Sequence, residues 1–165
     1  MDQTHLLRAD AIAGMEGLAK THFLNPRARR INKSLGDATG LTGIGVHLIE
    51  VAPGDLTTEH HVHHHEDECV YVLDGTGTAV TTIDGADRRD AVGPGDFLGY
   101  RAGGPAHSIE NTGDGVLRLL VVGQRLAHDV GDYPRLGKRI YRQAGLAPDL
   151  VDHDALTHPR MGAKR

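Results

Sequence analysis

The sequence predicts an all-β fold of the sandwich, jelly-roll or small-barrel kind, and three observations carry that expectation. Between residues 41 and 123, about eight apolar, β-branched segments recur at intervals of about ten residues. The pieces between them are rich in turn formers, in a chain that holds 22 glycines and 7 prolines among 165 residues. No segment of helical periodicity interrupts the run, which argues against parallel βαβ units.

The bulk composition narrows the function classes. A chain of this length supports one domain with a core and is short for two. Its 39% hydrophobic and 24% charged content is that of an ordinary globular protein. A formal net charge of −4 argues against nucleic acid or an anionic membrane as the main partner. The single cysteine leaves no internal disulfide and fits a reducing compartment. Residues 1–8 hold no continuous apolar region of the signal-peptide kind, and no later run reaches membrane-spanning length. A cytoplasmic protein is expected.

Taken in order, residues 1–40 form an N-terminal arm, 41–125 the barrel and 126–165 a C-terminal extension. In the arm, Ile12, Met15 and Leu18 recur at helical spacing, which predicts a short helix over residues 9–20 that Gly14 and Gly17 weaken. Arg27, Arg29, Arg30 and Lys33 follow as a basic patch, read as a solvated connection or, more sharply, as an anion-holding lip on the barrel. The first barrel strand is expected over 41–51, with Ile44, Val46 and Leu48 on one face. Pro53 and Gly54 end it in a turn. Strands over 69–73 and 76–83 are separated by the Asp74-Gly75 turn, and Asp84-Gly85 signals a hairpin. Residues 97–100, 106–111 and 116–122 are the next strands. Beyond 125 the pattern loosens: 129–134 reads as a turn-rich connector and 138–142 as an edge strand. The last twenty or so residues, with Asp152, His153, Asp154 and His158, read as a mobile polar tail.

One stretch carries chemistry. Residues 59–68 hold five of the chain's 12 histidines (His60, His61, His63, His64, His65) and four acids (Glu59, Glu66, Asp67, Glu68). Imidazole with carboxylate is what a divalent transition metal selects. On a strand, residues two apart share a face, so His61 and His63 project together while His60, Val62 and His64 project the other way. Glu68 opens the following strand, and a turn at 64–67 brings it against the histidine pair. His107, at the start of a later strand shared with Ile109 and Asn111, is a candidate fourth donor.

These residues resemble the two motifs of the cupin superfamily. Gly54, His61, His63, Glu68 and Gly75 match the first, and Gly95, Gly103, His107 and Asn111 the second. Three features depart from the pattern: six residues separate Gly54 from His61, Arg101 stands at the usual proline, and three residues separate Gly103 from His107. The alternative pair His63 and His65 leaves too few residues before Glu68 to fit the motif. The chain is most similar to small single-domain bacterial cupins, some of them sugar-phosphate-isomerase-like. The resemblance implies a double-stranded β-helix (jelly-roll) barrel. It also implies one divalent metal per chain, held by His61, His63, Glu68 and His107, with Zn or Fe favoured over Mn or Ni and no organic cofactor.

The remaining polar groups have plainer expectations. His60, His64 and His65 are read as exposed rim residues, Cys69 as a small buried apolar group, and Asn111 as a turn-fixing residue. Arg101, Tyr100 and Glu110 are the catalytic candidates, with Arg101 placed to hold an anion, Arg27, Arg29 or Arg30 in reserve for that task, and Glu50 a weaker acid–base choice. Tyr71 joins Tyr100 as a residue that lines the pocket or packs. A metal enzyme acting on a small polar metabolite follows, sugar-phosphate isomerase-like by resemblance. An Fe(II) dioxygenase and a non-catalytic binding or sensing module are the alternatives. Open edge strands make a homodimer the expected assembly, with the arm or residues 129–142 contributing.

Overall fold

Along neighbouring strands the inward-facing positions change from apolar to polar in one common direction, and that gradient positions everything functional. The computed structural model describes residues 4–159 and 162; the end of the expected mobile tail lies outside them. The strands are β1 (Leu18–His22), β2 (Asn25–Ser34), β3 (Ile44–Val51), the two-residue β4 (Val62–His63), β5 (Glu68–Asp74) and β6 (Gly77–Ile83). They continue as β7 (Ala86–Val92), β8 (Phe97–Tyr100), β9 (His107–Glu110), β10 (Leu117–Gln124), β11 (His128–Tyr133), β12 (Lys138–Gln143) and β13 (Asp149–Asp152). One layer is a six-stranded sheet in the order β1-β2-β3-β10-β5-β8. The other is built from two smaller sheets, β13-β12-β11-β4 and β7-β6-β9, joined by an isolated bridge between His61 and His107. Every pairing is antiparallel, as a jelly roll requires.

In the larger sheet, Leu117, Leu119, Val121 and Gly123 of β10 stand opposite Val51, Ile49, His47 and Gly45 of β3. On the other side, Leu119, Val121 and Gly123 stand opposite Val72, Val70 and Glu68 of β5. The apolar half packs with Ala79, Val92 and Ile109 of the facing layer into one core. The polar half, where glycines leave room, borders a cavity of about 500 Å³. Gly75 closes the turn after β5. Its φ is +78°, and a Cβ there would lie 2.5 Å from the Val116 carbonyl oxygen, so both the backbone conformation and the space require glycine.

Two expectations are corrected. The helix expected over 9–20 spans only Ala9–Gly14, and residues 18–34 form the β1–β2 hairpin that extends the large sheet through β3, followed by one helical turn at Leu35–Ala38. The basic patch is therefore a strand and not a solvated connection. Sheet pairing and the partners of Arg27 (Glu110) and Arg29 (Asp55) outweigh its charge density. The turn-rich connector at 129–134 is β11, whose Asp129, Gly131 and Tyr133 alternate into the interior; only Pro134 and beyond turn. Among the described residues no helix is long and apolar enough to cross a membrane.

Candidate metal centre

The bridge that joins the two smaller sheets is itself part of the site. His61 N donates to the His107 carbonyl at 3.0 Å and His107 N to the His61 carbonyl at 2.8 Å, which fixes the two imidazoles side by side. Their ring centroids are 4.7 Å apart. Glu68, first residue of β5, reaches them from the opposite layer. The donor atoms of His61, Glu68 and His107 all lie within 4.8 Å of one another, a group disposed to hold a metal ion.

Hydrogen bonding sets the tautomers. His61 Nδ1 lies 2.9 Å from the Glu59 carbonyl oxygen and His107 Nδ1 3.4 Å from that of Pro105. A carbonyl only accepts, so each Nδ1 carries the proton and each neutral ring presents the Nε2 lone pair, the form a metal binds. His107 Nε2 is buried with no hydrogen-bond partner among the described residues, although Glu68 Oε1 is 3.5 Å away. A lone pair aimed at a carboxylate at that separation is unfavourable until a cation stands between them. The donor set therefore fits a divalent ion. Burial, reinforced by His107, holds the His61 imidazole down to about 3. Burial alone would raise the Glu68 carboxyl, but the protonated forms of His107, and behind it His61 and His63, would hold it at about 2 and favour the carboxylate.

His63 stands beside His61 with ring centroids 4.9 Å apart, but its donors fall outside the mutual 4.8 Å of the other three. Its Nδ1 donates to Asp129 Oδ2 at 2.7 Å, which leaves its Nε2 lone pair free. Asp129 is 1% exposed and is held in turn by Arg142, which also pairs with Glu66. His63, Glu66 and Asp129 are themselves close enough to hold an ion. The Arg142 guanidinium already bridges both carboxylates of that trio, so it reads as the support that aims His63.

The other predicted residues disperse. Tyr100 lines the cavity, stacked flat on His107 at 3.5 Å between centroids and 2° between planes. Its buried hydroxyl has no partner among the described residues, and burial, with Glu68 nearby, raises its pKa well above the usual value. Arg101 is exposed and outside this cavity, its guanidinium 3.4 Å from its neighbour's carbonyl, Ala102. Glu110 is spent on Arg27 and Arg89, away from the cavity, and Glu50 faces Arg118. Tyr71 is 42% exposed. Asn111 does fix a turn: its amide donates to the Val51 and Gly115 carbonyls and its oxygen accepts from Gly113 N. Cys69 is only half-buried. His60 contradicts its expected place on the rim, being 1% exposed between Ser108 and Thr82. There the hydroxyls of Ser108 on β9 and Thr82 on β6 meet its ring, contacts the sequence did not reveal. His64 is half-buried on Asp132, and only His65 is exposed as expected.

Sequence reasoning missed Asp129, Glu66 and Arg142, and it left Arg30 among the reserves. Arg30 lies on β2 and lines the cavity, with its Nη1 on the Thr57 carbonyl and its Nε buried without a partner among the described residues. Strand parity carried a signal, since Ala28, Arg30 and Asn32 share a face opposite to Arg27 and Arg29.

A two-layer antiparallel jelly roll with a His–Glu–His cluster between its layers defines a cupin, and the comparisons agree. The cupin domain model matches residues 47–123. The chain is 49% identical to a candidate sugar phosphate isomerase from Acidithiobacillus ferrooxidans, over 94% of this chain and 97% of that one, with a TM-score of 0.89. It is 28% identical to a sugar phosphate isomerase of the cupin superfamily from Silicibacter pomeroyi, over 95% and 99% of the two chains, with a TM-score of 0.77. No functionally curated protein matches. This chain belongs to the cupin superfamily.

Proposed function

We propose that the chain is a metal-dependent enzyme that interconverts aldose and ketose forms of a small sugar phosphate, with a divalent ion held by His61, Glu68 and His107 and approached by His63. The observation that carries the metal is the orphaned Nε2 of His107 facing an ionised Glu68. The naming of the relatives at 49% and 28% identity supports the reaction class. A bound divalent ion supplies Lewis acidity toward a carbonyl or hydroxyl oxygen. Tyr100 holds its proton because its phenol is buried, so its Oη donates a hydrogen bond to a substrate oxygen beside the cluster. The core-side wall of Leu119, Ile109 and Val70 excludes water from that end of the cavity.

The test is elemental analysis of protein purified without chelator, followed by assay on a panel of aldose phosphates before and after metal removal. Close to one equivalent of metal per chain, with turnover lost on removal and restored on reloading, is expected. Absence of metal, or iron accompanied by substrate-dependent O2 consumption, overturns the isomerase reading.

A further inference from the structure

We propose that Arg30 receives an oxyanion of the ligand, a phosphate or a carboxylate, inside the cavity. The proposal rests on that cavity being the substrate site.

Three arginines line the cavity, and two of them are committed. Arg125 pairs with Asp37 at 2.5 Å, and Arg142 is shared between Glu66 and Asp129. Arg30 has no carboxylate partner among the described residues. Its Nη1 donates to the Thr57 carbonyl, which fixes the guanidinium at the edge of the cavity. Nε is buried and unpartnered, one of three such side-chain atoms among the described residues, and the other two, Tyr100 Oη and His107 Nε2, belong to residues that line the same cavity. A guanidinium stays charged in a protein, so this group is a buried cation with an unspent donor, a costly arrangement unless an anion completes it. The Nε–Nη2 edge of a guanidinium matches two oxygens of a carboxylate or phosphate.

The electrostatic surroundings sharpen the argument. Glu68 is the acid whose field reaches Arg30, and desolvation is the larger influence on the guanidinium. When a metal ion takes up the charge of Glu68, Arg30 is left without a counter-charge. A ligand that arrives with its own negative group restores the balance. The cavity of about 500 Å³ admits a small phosphorylated or carboxylated metabolite reaching from Arg30 to the cluster. Arg101, the sequence's first choice for this task, lies outside the cavity.

The experiment titrates metal-loaded protein with inorganic phosphate, acetate and glycerol by calorimetry, in the parent and in Arg30→Gln, Arg30→Lys and Arg101→Gln. The parent is expected to bind at least one of the two anions and not glycerol. Tighter phosphate assigns a phosphoryl group and tighter acetate a carboxylate. Arg30→Gln, with metal content and unfolding temperature retained, is expected to lose at least about tenfold in anion affinity, and Arg30→Lys to weaken it by less. Arg101→Gln is expected to bind like the parent. Parent-like anion binding by folded Arg30→Gln, equal loss in Arg101→Gln, or no anion binding by the parent overturns the proposal. Should neither Arg30 variant fold, phosphate must protect Arg30 of the parent from phenylglyoxal, read by peptide mass spectrometry; unchanged modification overturns it. Metal content is read separately, so a metal-free parent that still binds anions through Arg30 would sink the metal reading and leave this one standing.

Discussion

Residues 60 and 61 are neighbours, as are 107 and 108, yet the two faces of this strand pair treat histidine in opposite ways. On the outer face, Ser108 Oγ donates to His60 Nδ1 at 3.1 Å, His60 Nε2 donates to Thr82 Oγ1 at 2.8 Å, and Thr82 donates to Asp87 at 2.8 Å. His60 and Thr82 each accept and donate in turn, and Arg135 closes the chain on Asp87. Burial, with Arg135 nearby, holds His60 down to about 4, so it is neutral with both nitrogens satisfied. On the inner face, His61 and His107 spend only Nδ1 on the protein and keep Nε2 for something else. All three rings are buried; the difference is that side-chain hydroxyls occupy both nitrogens of His60, whereas backbone carbonyls occupy only Nδ1 of His61 and His107. A buried histidine is a structural strut when its second nitrogen has a partner and a candidate ligand when it has none.

The comparison breaks most sharply under substitution on the inner face. His107→Ala or His61→Ala removes one of three converging donors, and metal affinity measured by competition with a chromophoric chelator is expected to fall about 100-fold or more. The loss should come with little loss of fold, because the vacated space opens on the cavity. His60→Ala should do the reverse. It empties a fully buried position and strands the Ser108 and Thr82 hydroxyls, with an expected cost of about 3 kcal/mol in urea unfolding. Metal stoichiometry should stay at the parent value. A His60→Ala protein that is folded but metal-free would show that the two faces are one site.

The same contrast explains how much was legible in advance. His61, Glu68 and His107 were readable because two-residue alternation and motif spacing are local properties of strands and turns. Gly75 was readable for a similar reason, since its turn admits no side chain. His60 was misread because the rule that puts it on the opposite face from His61 says nothing about what covers that face. One of the groups that meet it there is Thr82 of β6, 22 residues away in sequence. Asp129 was invisible for a stronger reason: it meets His63 from 66 residues downstream, in a segment whose Gly131 and Pro134 imitate a loop. Of the four residues in the basic patch, charge alone could not choose the one that lines the cavity. Parity could have, had the segment been read as a strand. Local periodicity reveals the donors; the groups that orient them come from chain segments that only tertiary pairing brings near.

His64 extends the comparison to its mildest case. It projects outward like His60, but its partner sits nearer the surface: Nε2 lies 2.9 Å from Asp132 Oδ2. Asp132 also accepts from Arg139 at 2.6 and 2.8 Å and lies 3.3 Å from His153. Burial alone would raise this carboxyl, but Arg139 and the two histidines prevail and hold it well below its ordinary value of 3.8. A carboxyl depressed in the folded state contributes stability that is present above the unfolded value and lost as pH falls through it toward the folded one. Water reaches part of this cluster, so the expected cost of Asp132→Asn is only about 1 kcal/mol near neutral pH. The gap to the parent in urea midpoint should shrink as pH drops below 3.8. A gap as wide at about pH 3 as at neutrality would mean that the carboxylate's charge is not what holds His64, Arg139 and His153 together.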